Sequence, residues 1–332
     1  MSSMTVCYQV KLNGAAALSF YRVRLPCWLI EGASRSDLWA PDTVYYNPEY
    51  DFLHIKQDEM YLVDFVHKLK VDYDPHHVGL RNLALCSNQL SGGAGKGLYS
   101  IEPSTISPES MQVLKDVLSG LHQMWFVSIQ IISRVLAGCA PGRPSMITPF
   151  FERSFPIIAM PLHFDRVGAD PRSIGKDLSN LHILRPRYLY HTWQKILDKL
   201  DIKLPNTQYR FLLAFNPIRA NDDLYNYDDA VRWLKKEDDI WMGSHRKISA
   251  PSLPGDRPAP ELPEFRDEDL NAAMRPAVGF WLFPVDAFYD GTEQTECDNA
   301  WSKWDVKDHW PELALLRMVQ QPRAADIVPA KR

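Results

Sequence analysis

His163 and Asp165 stand two residues apart, a spacing that in a strand puts both side chains on one face and within reach of a hydrogen bond. A carboxylate that orients an imidazole makes a general base, the group a hydrolase or transferase with a site assembled from separated loops would use. No nucleophile motif accompanies the pair: Gly32-Ala33-Ser34-Arg35-Ser36 lacks the second glycine of a nucleophile elbow. The glycine-rich run Gly92-Gly93-Ala94-Gly95-Lys96-Gly97 falls between an apolar stretch and a helix start, where a phosphate-binding loop would sit. It has Leu90 where that loop needs its first glycine and Gly97 where it needs a hydroxyl for Mg²⁺. The dinucleotide pattern fails too, because Leu98 occupies the position of its third glycine. The run reads as a flexible connector.

Metal chemistry finds equally little to work with. His76 and His77 are adjacent and point apart on either regular backbone, and neither Cys-x-x-Cys nor His-Glu-x-x-His occurs. We therefore expect no catalytic residue, no metal and no cofactor. The ten tryptophans are more informative. Trp281 lies inside an apolar run and reads as core, whereas Trp301 and Trp304 stand among Ser302, Lys303 and Asp305 and are the candidate contact surface, since exposed Trp dominates binding hot spots.

Charge narrows the partners. Lys and Arg number 37 against 41 Asp and Glu, a net charge of −4, and the densest basic pairs are only Arg185 with Arg187 and Lys235 with Lys236. A nucleic-acid reader shows a basic stripe, so no nucleic acid is expected. The longest uncharged run, between Asp116 and Arg134, carries Ser119, His122, Gln123, Ser128 and Gln130, too polar for a spanning helix, and no membrane association is expected. Five cysteines without close pairs fit reduced thiols. Met1 to Phe20 has Lys11 and Asn13 where a secretory signal needs an apolar core. These features place the protein inside the cell, cytoplasmic or nuclear and not secreted.

The elements that must position any site read as an α+β fold, a mixed β-sheet with flanking helices in mostly one large domain. Thr43–Tyr46 and Phe52–Ile55 flank Asn47-Pro48 and read as a hairpin or a bent strand. Met60–Leu69 has helical spacing, and Val78–Cys86 is β-like. Ser107, Pro108 and Glu109 form an N-cap, first helical position and acidic first turn, and Gly120 is a flaw in that helix or its end. Trp125–Ile132 then completes a possible βαβ unit. Five prolines between Ala140 and Pro161 break regular structure. Leu189, Trp193, Ile196, Leu197 and Leu200 form one stripe on a helix over Pro186–Leu200. Tyr209–Phe215 is a strand, and Asp228–Asp238 is a helix that carries Val231 and Leu234 inward. A proline-rich loop spans 248–276, Val278–Phe283 returns to apolar sequence, Leu313–Val319 is a last strand, and 321–332 is a flexible tail.

Several stretches together resemble the 2-EXR domain proteins of filamentous fungi. They are Phe20-Tyr21-Arg22-Val23-Arg24-Leu25-Pro26-Cys27, Val44-Tyr45-Tyr46-Asn47-Pro48-Glu49-Tyr50-Asp51-Phe52-Leu53-His54-Ile55, and Val78-Gly79-Leu80-Arg81-Asn82-Leu83-Ala84-Leu85. Tyr209–Phe215, Gly279–Pro284 and Trp310-Pro311-Glu312-Leu313 are similar to that family's extended forms. The family's Leu-Pro-x-Glu-x-Arg start, itself similar to an F-box start, is missing here. Its second Glu-x-Arg is altered to Val6-Cys7-Tyr8-Gln9-Val10-Lys11. The resemblance implies a fungal origin, a doubtful or truncated segment over 1–19 and a single α+β domain over 20–320, with no activity, ligand or catalytic residue attached. The expected function is an intracellular protein-interaction domain without catalysis and with a protein partner; the alternative is the hydrolase or transferase above.

Overall fold

The computed structural model describes residues 6–11, 21–25, 42–46, 51–55, 59–72, 74, 77–86, 103–130, 154–159, 163–179, 181–184, 186–215, 224, 226–248, 274–288 and 301–316. The Gly92–Gly97 run, His76, residues 249–273 of the proline-rich stretch and the tail after 320 lie outside the described residues.

Eight strands close into a barrel: β1 (Val6–Lys11), β4 (Asp51–Ile55), β5 (Asn82–Cys86), β6 (Gln123–Gln130), β9 (Gln208–Phe215), β10 (Gly279–Pro284), β12 (Glu312–Leu316) and β7 (His163–Ala169), in that order around the wall. From β4 through β5 and β6 to β9 the strands run parallel, β10 is antiparallel to both neighbours, and β1 closes the ring, antiparallel to β4 and parallel to β7. Two two-stranded sheets stand outside it, β2 (Tyr21–Leu25) with β3 (Asp42–Tyr46) and β8 (Leu181–Leu184) with β11 (Trp301–Trp304). The helices are α1 (Glu59–Asp72), α2 (Pro108–Ser119), the short α3 (Gly175–Leu178), α4 (Pro186–Leu200) and α5 (Tyr227–Ile248). The mixed sheet with its helices is the expected α+β fold.

Strand periodicity sorts the barrel residues into two cores. Phe52, Trp125, Leu212, Phe280, Leu282 and Phe164 face inward with Ala84, Ala214 and Ala314, a mix of large and small side chains packed together inside the barrel. Phe52 stacks on Trp125 with ring centroids 3.4 Å apart, and Phe280 meets the rings of both Trp125 and Phe164 edge-on. The alternate residues, among them Leu83, Met124, Phe126, Phe211, Leu213, Trp281 and Phe283, face outward onto α1, α2 and α4. Burial on both faces is what makes Leu212–Phe215 and Gly279–Phe283 continuously apolar rather than alternating. At one end Ile157 bridges Phe215 and Val278, and Leu224 with Trp233 and Leu234 of α5 packs over the inner core. No helix among the described residues is long and apolar enough to cross a membrane.

Local signals formed as read where they act within a few residues. Ser107 accepts the Ser110 N–H at 3.1 Å, Pro108 opens α2, and Gly120 ends it by donating its N–H to Val117 O. β5, α2 and β6 form the parallel βαβ unit. The α4 stripe is wholly buried. Tyr209 packs against that outer core, its phenol pushed above the usual range by burial.

Other expectations need correcting. Thr43–Tyr46 and Phe52–Ile55 are no hairpin: β3 pairs with β2 and β4 with β1 and β5, so the two strands belong to different sheets. The strand expected from Val78 starts only at Asn82. Asp74 accepts the N–H groups of Val78 at 2.8 Å and Gly79 at 3.0 Å as well as Lys70 Nζ at 2.8 Å, and the positive φ of His77 and Gly79 (55° and 75°) makes this stretch a turn. α5 continues to Ile248, into the start of the expected proline-rich loop, and Val231 points outward at 46% exposure while Ala230 takes the inward position. β1, which falls within residues 1–19, pairs with β4 and β7 in the barrel wall.

Gly279 is the tightest point of that wall, since a Cβ built there would lie 1.9 Å from Ala314 O on the neighbouring β12. Gly279→Ala must push β10 from β12 and is expected to cost about 3 kcal/mol or more. Ser107→Ala, which removes only the α2 cap, is expected to cost about 1 kcal/mol. Urea unfolding of the two variants checks both, with the order of the losses as the decisive readout.

Candidate functional site

The most connected polar group among the described residues is Asp170, just past the end of β7. Its side chain is fully buried, and a buried carboxylate demands donors. Arg172 supplies most of them: its backbone N–H and its Nε reach Oδ1 at 3.0 and 2.9 Å, and its Nη2 reaches Oδ2 at 2.5 Å. Trp281 of β10 adds its indole N–H to Oδ2 at 2.7 Å. The Asp170-Pro171 step turns the chain back so that one residue can fold over its neighbour but one. Arg172 spends its remaining fork on carbonyls, donating from Nη1 to Ser154 O and Arg275 O, both at 2.9 Å. Its Cζ also sits 5.9 Å from the Trp281 ring centroid, at the limit of a cation–π contact. Nearby, Asp177 accepts the backbone N–H of Ser154 at 2.9 Å and the Ser154 hydroxyl.

This arrangement decides what Asp170 can do. Burial pushes its carboxyl up, but the Arg172 side chain and backbone, the Trp281 indole and the Arg172 charge together bring it below the ordinary carboxylate range. Held ionised, with donors on both oxygens, it has no position left from which to take a substrate proton. The group is a structural clamp, and what it positions is Trp310. The Trp310 indole N–H donates to Asp170 O at 2.8 Å, and the Asp170 N–H donates to Pro311 O at 3.0 Å. On its other side the ring runs past Gly175, where an added Cβ would stand 3.7 Å from Cζ3. Trp310 is nevertheless 41% exposed. A large aromatic is thus presented to solvent with its orientation already fixed.

The residues read as site candidates from sequence fall differently. Trp304 is half-buried, its ring edge-on to Phe288 at 5.5 Å and packed on the outer core, which corrects its expected exposure. The backbone over Trp301–Trp304 is a strand, in which positions three apart do not share a face; the side chain of Trp301 lies outside the described residues. Asp165 is half-buried on the outer side of β7, since Phe164 faces inward, and the side chain of His163 lies outside the described residues. No cluster of three or more metal-ligating side chains forms among the described residues. Sequence reading missed Asp170, and it took Trp310 only as part of the family-like Trp310-Pro311-Glu312-Leu313 stretch, choosing Trp301 and Trp304 as the contact candidates instead. The only local signals were the Asp-Pro and Trp-Pro steps, each of which marks a turn and nothing more.

A carboxyl held below its unfolded value of about 3.9 stabilises the fold above that pH and loses the contribution as pH falls through the folded value. Asp170→Asn is therefore expected to cost about 3 kcal/mol at pH 6, where it strands the Arg172 charge, and progressively less below about pH 4. Urea unfolding of wild type and variant across this range checks the narrowing gap.

Comparison with family models, with curated proteins and with solved structures gives no match to this chain.

Proposed function

We propose that the protein is a non-catalytic intracellular protein-interaction domain of the 2-EXR kind, with Trp310 as the anchor of its contact surface. The observation that carries this reading is the 41% exposure of an indole whose N–H is already bonded to Asp170 O. An exposed aromatic free to rotate loses side-chain entropy when a partner covers it, whereas Trp310 has given up that freedom on folding. Tryptophan supplies large contact area and is enriched among the few residues that dominate binding energy. The clamp beneath it accounts for the buried charge without assigning it catalysis, and a net charge of −4 favours a protein over a polyanion as the partner. Five cysteines without close pairs support an intracellular setting.

Quantitative affinity capture from extract of the source cells, with the tagged full chain as bait, tests this reading. A partner recovered by wild type is expected to fall at least about tenfold with Trp310→Ala and to be partly kept by Trp310→Phe, with near-ultraviolet circular dichroism showing that both variants are folded. Equal recovery by all three baits, or no protein above the empty support, would sink the proposal.

A further inference from the structure

The barrel end at which β5, β6, β9 and β12 begin is polar inside. Register fixes which residues face in: Arg166 stands opposite inward Ala314, Arg210 is two residues before inward Leu212, and Glu312 is two before Ala314. The three meet. Arg166 Nε donates to Glu312 Oε2 at 3.1 Å and its Nη2 to the same oxygen, while Arg210 Nη2 lies 2.9 Å from Oε1. Their side chains are only 20%, 16% and 24% exposed for Arg166, Arg210 and Glu312. Asn82 and Gln123 face in at the same end and are neutral, and Trp125, fully buried opposite Arg210, lies beneath.

The charges do not balance. Two guanidiniums against one carboxylate leave a single positive charge largely withdrawn from water, and such a charge is costly unless paired. The donors do not balance either. A guanidinium has five N–H groups in a planar fork, and among the described residues Glu312 is the one acceptor bonded to either arginine. Nε and Nη1 of Arg210 and Nη1 of Arg166 are left over, and the Trp125 indole N–H below them also meets no acceptor among the described residues.

The geometry points to an anion site in this mouth, occupied by the carboxylate of a small monocarboxylic acid that binds Arg210 and Arg166 beside Glu312. One negative charge cancels the residual positive one, whereas a dianion would leave the mouth net negative. The planar carboxylate also matches the free edge of a guanidinium fork.

Acetate is the probe, added to the full chain at pH 7 with sodium chloride at equal ionic strength as the control, and thermal unfolding followed by near-ultraviolet circular dichroism. Acetate at about ten times a low-millimolar Kd is expected to raise the wild-type Tm by roughly 2 °C over chloride. Glu312→Gln, which keeps the shape and removes the competing charge, is expected to tighten acetate about tenfold, the effect of one charge contact at this depth. Arg210→Gln is expected to abolish the shift. If that variant loses its cooperative melt, Arg210→Lys replaces it, with an expected weakening of at least about fivefold because the fork is gone. A wild-type Tm equal in acetate and chloride overturns the inference, even if Glu312→Gln responds, since Glu312 alone would then fill the arginine pair. A full acetate shift in the folded Arg210 variant overturns it as well.

Discussion

A carboxylate withdrawn from water has to be given donors from wherever the chain can bring them, and Asp170 draws its own from two residues away in Arg172 and from 111 residues away in Trp281. Each donor is itself fixed by something else. Arg172 also holds the carbonyls of Ser154 and Arg275, and Trp281 is packed between the rings of Phe155 and Phe283. One buried charge therefore ties the end of β7 to β10, to the segment before Ile157 and to the chain entering β10. Removing a member leaves the others desolvated without partners, which is why such a group is destabilising to break and yet is no engine for chemistry.

The barrel shows the same economy at larger scale. A wall buried on both faces needs apolar residues at every position, and its strands then carry no period of their own. What keeps the two cores distinct is size: alanines at 84, 214 and 314 leave room inside for Trp125 and the phenylalanines, while helices cover the outward leucines and aromatics. Gly279 shows how closely the wall is drawn, and Gly168, with φ of 95°, lies beside the irregularity where β7 and β12 slip register. That slip helps bring Arg166 and Glu312 together at the polar end of the barrel.

The tryptophans show how far composition reaches. Trp281 was legible as core because its neighbours in sequence are its neighbours in burial. Trp304 was not, because its ring meets Phe288, a contact that the polar residues beside it in sequence do not announce. Trp310 carries the contact reading through Asp170, 140 residues away, a relation without any trace in local spacing. Glu312 and its two arginines likewise come from three different strands.

By itself the sequence determined the elements whose causes are local: the Ser107-Pro108 cap of α2 with its end at Gly120, the buried stripe of α4, the β5–α2–β6 unit and the apolar strands β9 and β10. It also determined the α+β class, because helical and strand periods both appear in strength. Only the tertiary structure decided which strands pair, that β3 and β4 part company across Asn47-Pro48, and that β1 closes a barrel. The same holds for the clamp that presents Trp310. Strand partners, buried ion pairs and the exposure of a ring are fixed by contacts between residues tens to more than a hundred positions apart. Hydrophobic period and turn chemistry report on neighbours within about one helical turn, so those contacts leave no local signature.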